Sequence, residues 1–79
     1  MKYRKKPVVI EAIQWTGKNF LEISSWMGTR PSRTRDNYLC IDTLEGTHYI
    51  KKKDWIIKGI RGEFYPVKPD IFELTYEKV

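Results

Sequence analysis

The sequence predicts an α+β domain: a small, curved antiparallel sheet of about five to six strands, partly open and barrel-like, with one short helix after the first strand. Three observations carry that expectation. Short apolar runs rich in β-branched and aromatic residues recur between turn-forming residues. A single stretch, residues 20–27, has the spacing of an amphipathic helix. The run Asp54-Trp55-Ile56-Ile57-Lys58-Gly59-Ile60-Arg61-Gly62-Glu63-Phe64-Tyr65-Pro66 reads as a β-hairpin turning at Arg61-Gly62.

The elements follow in order. Residues 7–15 form a first strand, with Val9, Ile13 and Trp15 on one face and Val8, Ile10 and Ala12 on the other. Thr16-Gly17-Lys18 is a turn. Asn19 is a good N-cap, and Glu22 three residues on completes a capping box. Phe20, Ile23 and Met27 share the buried face of the helix, which Gly28 stops.

Residues 29–37 are the least structured: Pro31, Ser32, Thr34, Asp36 and Asn37 favour loops, and no apolar side chain anchors them. The next hairpin joins residues 38–44 to 47–51 through Glu45-Gly46, with Ile41 opposite Ile50 and Thr43 opposite His48. After the 54–66 hairpin, whose Trp55, Ile57 and Phe64 belong to the core, Lys68-Pro69-Asp70 turns. Residues 72–79 then alternate as an edge strand.

A chain of 79 residues makes one domain, 1–79, with a basic arm at 1–6 and a flexible basic loop at 29–37. Ordering it costs on the order of 120 kcal/mol at roughly 1.5 kcal/mol per residue, which so small a core barely offsets. One Cys and one His provide neither a disulfide nor a structural zinc site. Three Trp, five Tyr and three Phe must supply the packing, and self-association the rest, so a homo-oligomer is expected. No run is long enough to cross a membrane, and the single thiol suits a reducing cytoplasm.

The net charge is +5, all of it in residues 1–39; residues 40–79 balance to zero. The excess sits at Lys2, Arg4, Lys5 and Lys6 and at Arg30, Arg33 and Arg35. Such clusters meet anions, namely phosphate, nucleic acid or an acidic protein face; the competing reading is a solvated tail and loop.

No nucleophile–base arrangement, metal-ligand spacing or phosphate-loop pattern occurs, so no enzyme is expected and no cofactor. Cys40 reads as a small hydrophobe and His48 as a sheet-surface residue. Aromatic and basic residues interleave on the strands, as single-strand nucleic-acid binders require. They also suit a nucleotide-like anionic small molecule, its base stacked and its phosphates clamped. The candidate ligand residues are Arg30, Arg33, Arg35, Trp15, Tyr49, Lys58, Arg61 and Tyr65.

Two motifs carry a resemblance. The opening, Met1 to Trp15, and the later run from Asp54 to Pro66 with Lys68-Pro69-Asp70-Ile71-Phe72 and Tyr76-Glu77, resemble a group of small uncharacterised bacteriophage and prophage proteins. In that group a Pro-Gly pair often precedes Asp-Trp, where Lys52-Lys53 stand here, and a Cys often occupies the place of Val67. The middle, about residues 29–40, varies in the group. The resemblance implies a phage origin and a host-cytoplasm location, and it supplies no catalytic residues. It implies an accessory role against host defence, either sequestering a nucleotide-like immune signal or blocking a host protein. A nucleic-acid-binding role in phage replication or regulation is the alternative.

Overall fold

The computed structural model describes all of residues 1–79. The chain runs β1 (Glu11–Gln14), α1 (Phe20–Met27), β2 (Ser32–Arg33), β3 (Leu39–Thr43), β4 (Gly46–Ile50), β5 (Trp55–Lys58), β6 (Phe64–Val67), α2 (Pro69–Thr75). The α+β class is as the sequence indicates. The strands form two antiparallel three-stranded sheets, β1-β5-β6 and β2-β3-β4, rather than one curved sheet, and neither closes into a barrel.

The expected edge strand at 72–79 is instead helix α2 with an extended tail. Pro69 takes the first helical turn, where its fixed φ favours the helix and its missing N–H costs nothing. The alternation of Phe72, Leu74 and Tyr76 hid a second period: Phe72 and Tyr76 are four apart and both half-buried, whereas Leu74 is 86% exposed. Phe72 stacks on Trp55, with ring centres 4.0 Å apart and planes 5° from parallel, and Tyr76 packs against Phe72 at 5.1 Å.

β5 is the central strand of its sheet. Its ladder places Ile13, Ile56 and Pro66 in one row and Ala12, Ile57 and Tyr65 in the next, so the two rows lie on opposite faces. Ile56 joins the core of Trp15, Ile23, Leu39, Ile41 and Ile50. Ile57 is fully buried as expected, but on the opposite face of the sheet from that cluster, as is the half-buried Trp55, which meets α2.

Both hairpins shift from their expected registers. Thr43 faces Gly46 and Leu39 faces Ile50, so Ile41 sits opposite His48 and Cys40 opposite Tyr49. Gly46, at φ 114°, follows the turn rather than lying within it, and Leu44 reaches the tip, 96% exposed. In the 54–66 hairpin, Gly62 N–H donates to the Gly59 carbonyl at 3.0 Å and Gly59 N–H to Glu63 at 2.7 Å. The loop is therefore Ile60-Arg61-Gly62, with Gly62 at φ 82°, instead of a two-residue turn.

Strand β1 is shorter than the 7–15 expected, because β5 turns away at Gly59 and leaves residues 7–10 without a partner. Residues 1–9 are exposed, and the molecule measures 47 × 22 × 21 Å. Helix α1 matches its expected span and ends at Gly28, φ 73°. Its capping box is absent. Asn19 Oδ1 accepts from the backbone and hydroxyl of Thr16, and Asn19 Nδ2 donates to the Gln14 carbonyl and to Glu22, so this side chain closes the 14–19 turn.

Candidate anion-binding site

Trp15 is the hub on which the basic segments converge. It is fully buried, ruling it out as an open platform for a base. Its backbone N–H donates to the Asp54 carbonyl at 2.9 Å and its carbonyl accepts from Lys53 at 2.7 Å. Its indole Nε1–H donates to the Asn37 carbonyl at 3.0 Å. Asn37 in turn donates from Nδ2 to the Gly17 carbonyl at 3.1 Å. One residue thus fixes the end of the arginine segment and the lysine corner at 51–53.

The arginine segment is tied down more firmly than its composition suggests. Pro31 is buried, β2 pairs with β3, and Thr34 N–H donates to the Tyr38 carbonyl at 2.9 Å. Tyr38 N–H returns to Thr34 Oγ1 at 3.1 Å. Asn37, at φ 65°, adopts the left-handed turn conformation that Asn tolerates well. The expectation that nothing apolar holds this loop is corrected by Pro31.

Arg33 shares a row with Leu39 and Ile50, on the core-facing side of its sheet. Its guanidinium lies 4.8 Å from the Phe20 ring centre and 5.5 Å from that of Trp15. Arg30 approaches the same Phe20 ring at 5.4 Å. Two guanidinium groups thus converge on one half-buried ring. The molecule's two side-chain ion pairs, Lys58–Glu11 at 4.0 Å and Lys68–Asp54 at 3.9 Å, involve none of the three arginines. A guanidinium over an aromatic ring keeps its in-plane N–H fork available for an oxyanion. Arg35 is exposed in the adjoining turn.

Beside Arg30 an open depression is lined by Leu21, Ser24, Ser25, Gly28 and Thr29. It lies at the C-terminal end of α1, whose dipole repels anions, although Gly28 N–H satisfies the Ser24 and Ser25 carbonyls there. The electrostatics favour an anion on the Arg33 side.

The remaining candidates lie apart from this cluster. Tyr49, 61% exposed, stands in the Ser32–Cys40–Tyr49 row, across the sheet from Arg33. Lys58 pairs with Glu11 on the other sheet. Arg61 is at the hairpin tip, where it borders a shallow depression with Leu44, Ile60, Gly62 and Glu63. Tyr65 lies on the α2 side; burial, then the neighbouring Tyr76 phenol and the Glu63 carboxylate, push its hydroxyl above the ordinary 10.0. Sequence reasoning missed Phe20, which it placed on the helix's core face. The signal was its position at the first helical residue, beside the chain's return through Arg30 and Arg33.

The fold gathers no group of three or more His, Cys, Asp or Glu side chains that could hold a metal, and no helix is long and apolar enough to cross a membrane. Compared with known proteins, the chain matches no family model, no curated protein and no solved structure.

Proposed function

We propose that this chain is a non-enzymatic binding protein that captures a planar, nucleotide-like anion on Arg30, Arg33 and Arg35, acting as a self-associating phage accessory protein against host defence. The observation that supports this is the pair of guanidinium groups, Arg30 and Arg33, gathered on Phe20 without a carboxylate partner. The ring orients them, a base stacks on the outer guanidinium face, and the N–H forks clamp phosphate oxygens. In the phage setting implied by the sequence resemblance, the ligand is a nucleotide immune signal and binding removes it. Trp15 has no direct part in this reading, because it is buried.

A thermal-shift panel of cyclic nucleotides, ADP-ribose derivatives and single-stranded DNA tests it. A ligand that binds only the folded chain raises stability by RT ln(1 + [L]/Kd). One nucleotide class raising the melting temperature supports sequestration; no response to any nucleotide discards it.

A second reading is favoured by the exposed basic arm at residues 1–6. Together with the arginines it suits single-stranded nucleic acid, in phage replication or regulation. That reading requires binding that weakens steeply as salt rises. Direct inhibition of a host protein through the arginine segment requires instead a host protein that co-purifies and loses contact on Arg35→Ala.

A further inference from the structure

We infer that the segment Arg4–Ala12 pairs as a strand with the same segment of a second copy, joining two β1-β5-β6 sheets into one six-stranded sheet. This deepens the proposed self-association and is independent of the ligand. β1 is an edge strand, hydrogen-bonded on one side only, to β5. The β-branched residues leading into it have no partner within the chain: Val8 is 47% and Val9 78% exposed. Continued past Glu11–Lys58, the β1–β5 ladder would bring Ile10 opposite Gly59, where β5 instead enters its loop. An unpaired apolar strand continuing a sheet edge is a template for another chain.

The hydrogen bonds fix which residues face that second copy. Trp15 turns its N–H and carbonyl toward the β5 side, to Asp54 and Lys53. The Gln14 carbonyl turns the opposite way and accepts Asn19 Nδ2–H at 2.9 Å. Backbone groups alternate along a strand, so within β1 Ala12 points outward and Glu11 inward, and continuing the strand through residues 7–10 in the pair turns Ile10 and Val8 outward and Val9 and Pro7 inward. Pro7, which has no N–H to offer, falls in the set that needs none.

In an antiparallel two-fold pair, outward residues face outward residues, so only every second register is allowed. Charge selects among these. With Val8 on the two-fold axis, Lys5 lies opposite Glu11 and Lys6 opposite Ile10 of the second copy, each twice by symmetry. The neighbouring allowed registers put Pro7 or Tyr3 opposite Glu11 and lose this complementarity. Lys5 of one copy then joins the existing Glu11–Lys58 pair of the other.

The parity of the register makes the test specific. Light scattering and sedimentation of the full chain should show a dimer. Val8→Pro removes an outward N–H and should weaken dimerisation about tenfold or more. Val9→Pro removes an inward one and should leave it within about threefold. Lys5→Glu should weaken it, and adding Glu11→Lys should restore it. These residues lie outside the core, so the fluorescence of the buried Trp15 should show the fold unchanged throughout. A wild-type chain that stays monomeric overturns both the interface and the self-association. A dimer indifferent to Val8→Pro, or equally sensitive to Val9→Pro, overturns this interface and leaves self-association standing. Failure of Lys5→Glu with Glu11→Lys to recover the dimer overturns the register.

Discussion

The indole N–H of Trp15 donates to the backbone carbonyl of Asn37 at 3.0 Å, across 22 positions of sequence. That bond ties the arginine segment to the core, and it gives a measurable linkage. Trp15→Phe keeps an aromatic ring but removes the donor and leaves a carbonyl short of its partner. Unfolding in urea should show a loss of about 1–3 kcal/mol from the missing bond, with cavity terms adding to it. Amide exchange in residues 34–38 should speed up more than in β5.

Lys53 has φ 82°, in the left-handed region that side chains other than Gly resist. Its N–H donates to Trp15 and is kept by any residue but proline. Lys53→Gly should therefore raise stability by about 0.5–1 kcal/mol, the relief of strain exceeding the added flexibility of the unfolded chain.

Helix α2 is held through the stack of Phe72 on Trp55 and the contact of Tyr76 with Phe72. Phe72→Ala should cost about 0.5–1.5 kcal/mol for the aromatic pairing alone, beyond the lost burial. Hydrogen exchange should show residues 69–75 released while β3 and β4 stay protected.

Tyr65 titrates above 10.0 because burial, Tyr76 and Glu63 all disfavour its anion. The folded state thus holds that proton more tightly than the unfolded state does. The resulting stability is complete below pH 10 and is lost as pH rises through 10 and past the folded-state value. Tyr65→Phe should flatten the alkaline limb of a stability–pH curve above pH 10 and leave the neutral region's slope unchanged.

Helix α1 and the strands of the two hairpins were legible because their signals are local. Helix α1 has both an amphipathic period and a glycine stop, and β3, β4, β5 and β6 carry β-branched or aromatic residues with Gly in or beside the turns. What misled were competing periods and neighbouring turns. Phe72, Leu74 and Tyr76 alternate like a strand, yet Pro69 and the Trp55 ring select the helix. Gly46 looked like a turn residue and proved to follow the turn, shifting every pair of that hairpin. Arg30 and Arg33 stood out by charge, but their meeting on Phe20 depends on tertiary folding and has no local signature. The same holds for Trp15, whose chemistry suggested a platform and whose burial makes it a hub.

Arg33 separates structure from binding. Its contacts with Phe20 and Trp15 are worth about 0.5–1 kcal/mol each at a partly exposed site, so Arg33→Ala should lower stability slightly. Arg35→Ala, without a ring beneath it, should not. The most direct measurement is the nucleotide thermal-shift panel run in parallel on wild type and on Arg30→Ala with Arg33→Ala, each compared with its own ligand-free melting temperature. The account predicts a rise for one nucleotide class in the wild type and none in the double variant. An equal rise in both, or none in the wild type, contradicts it.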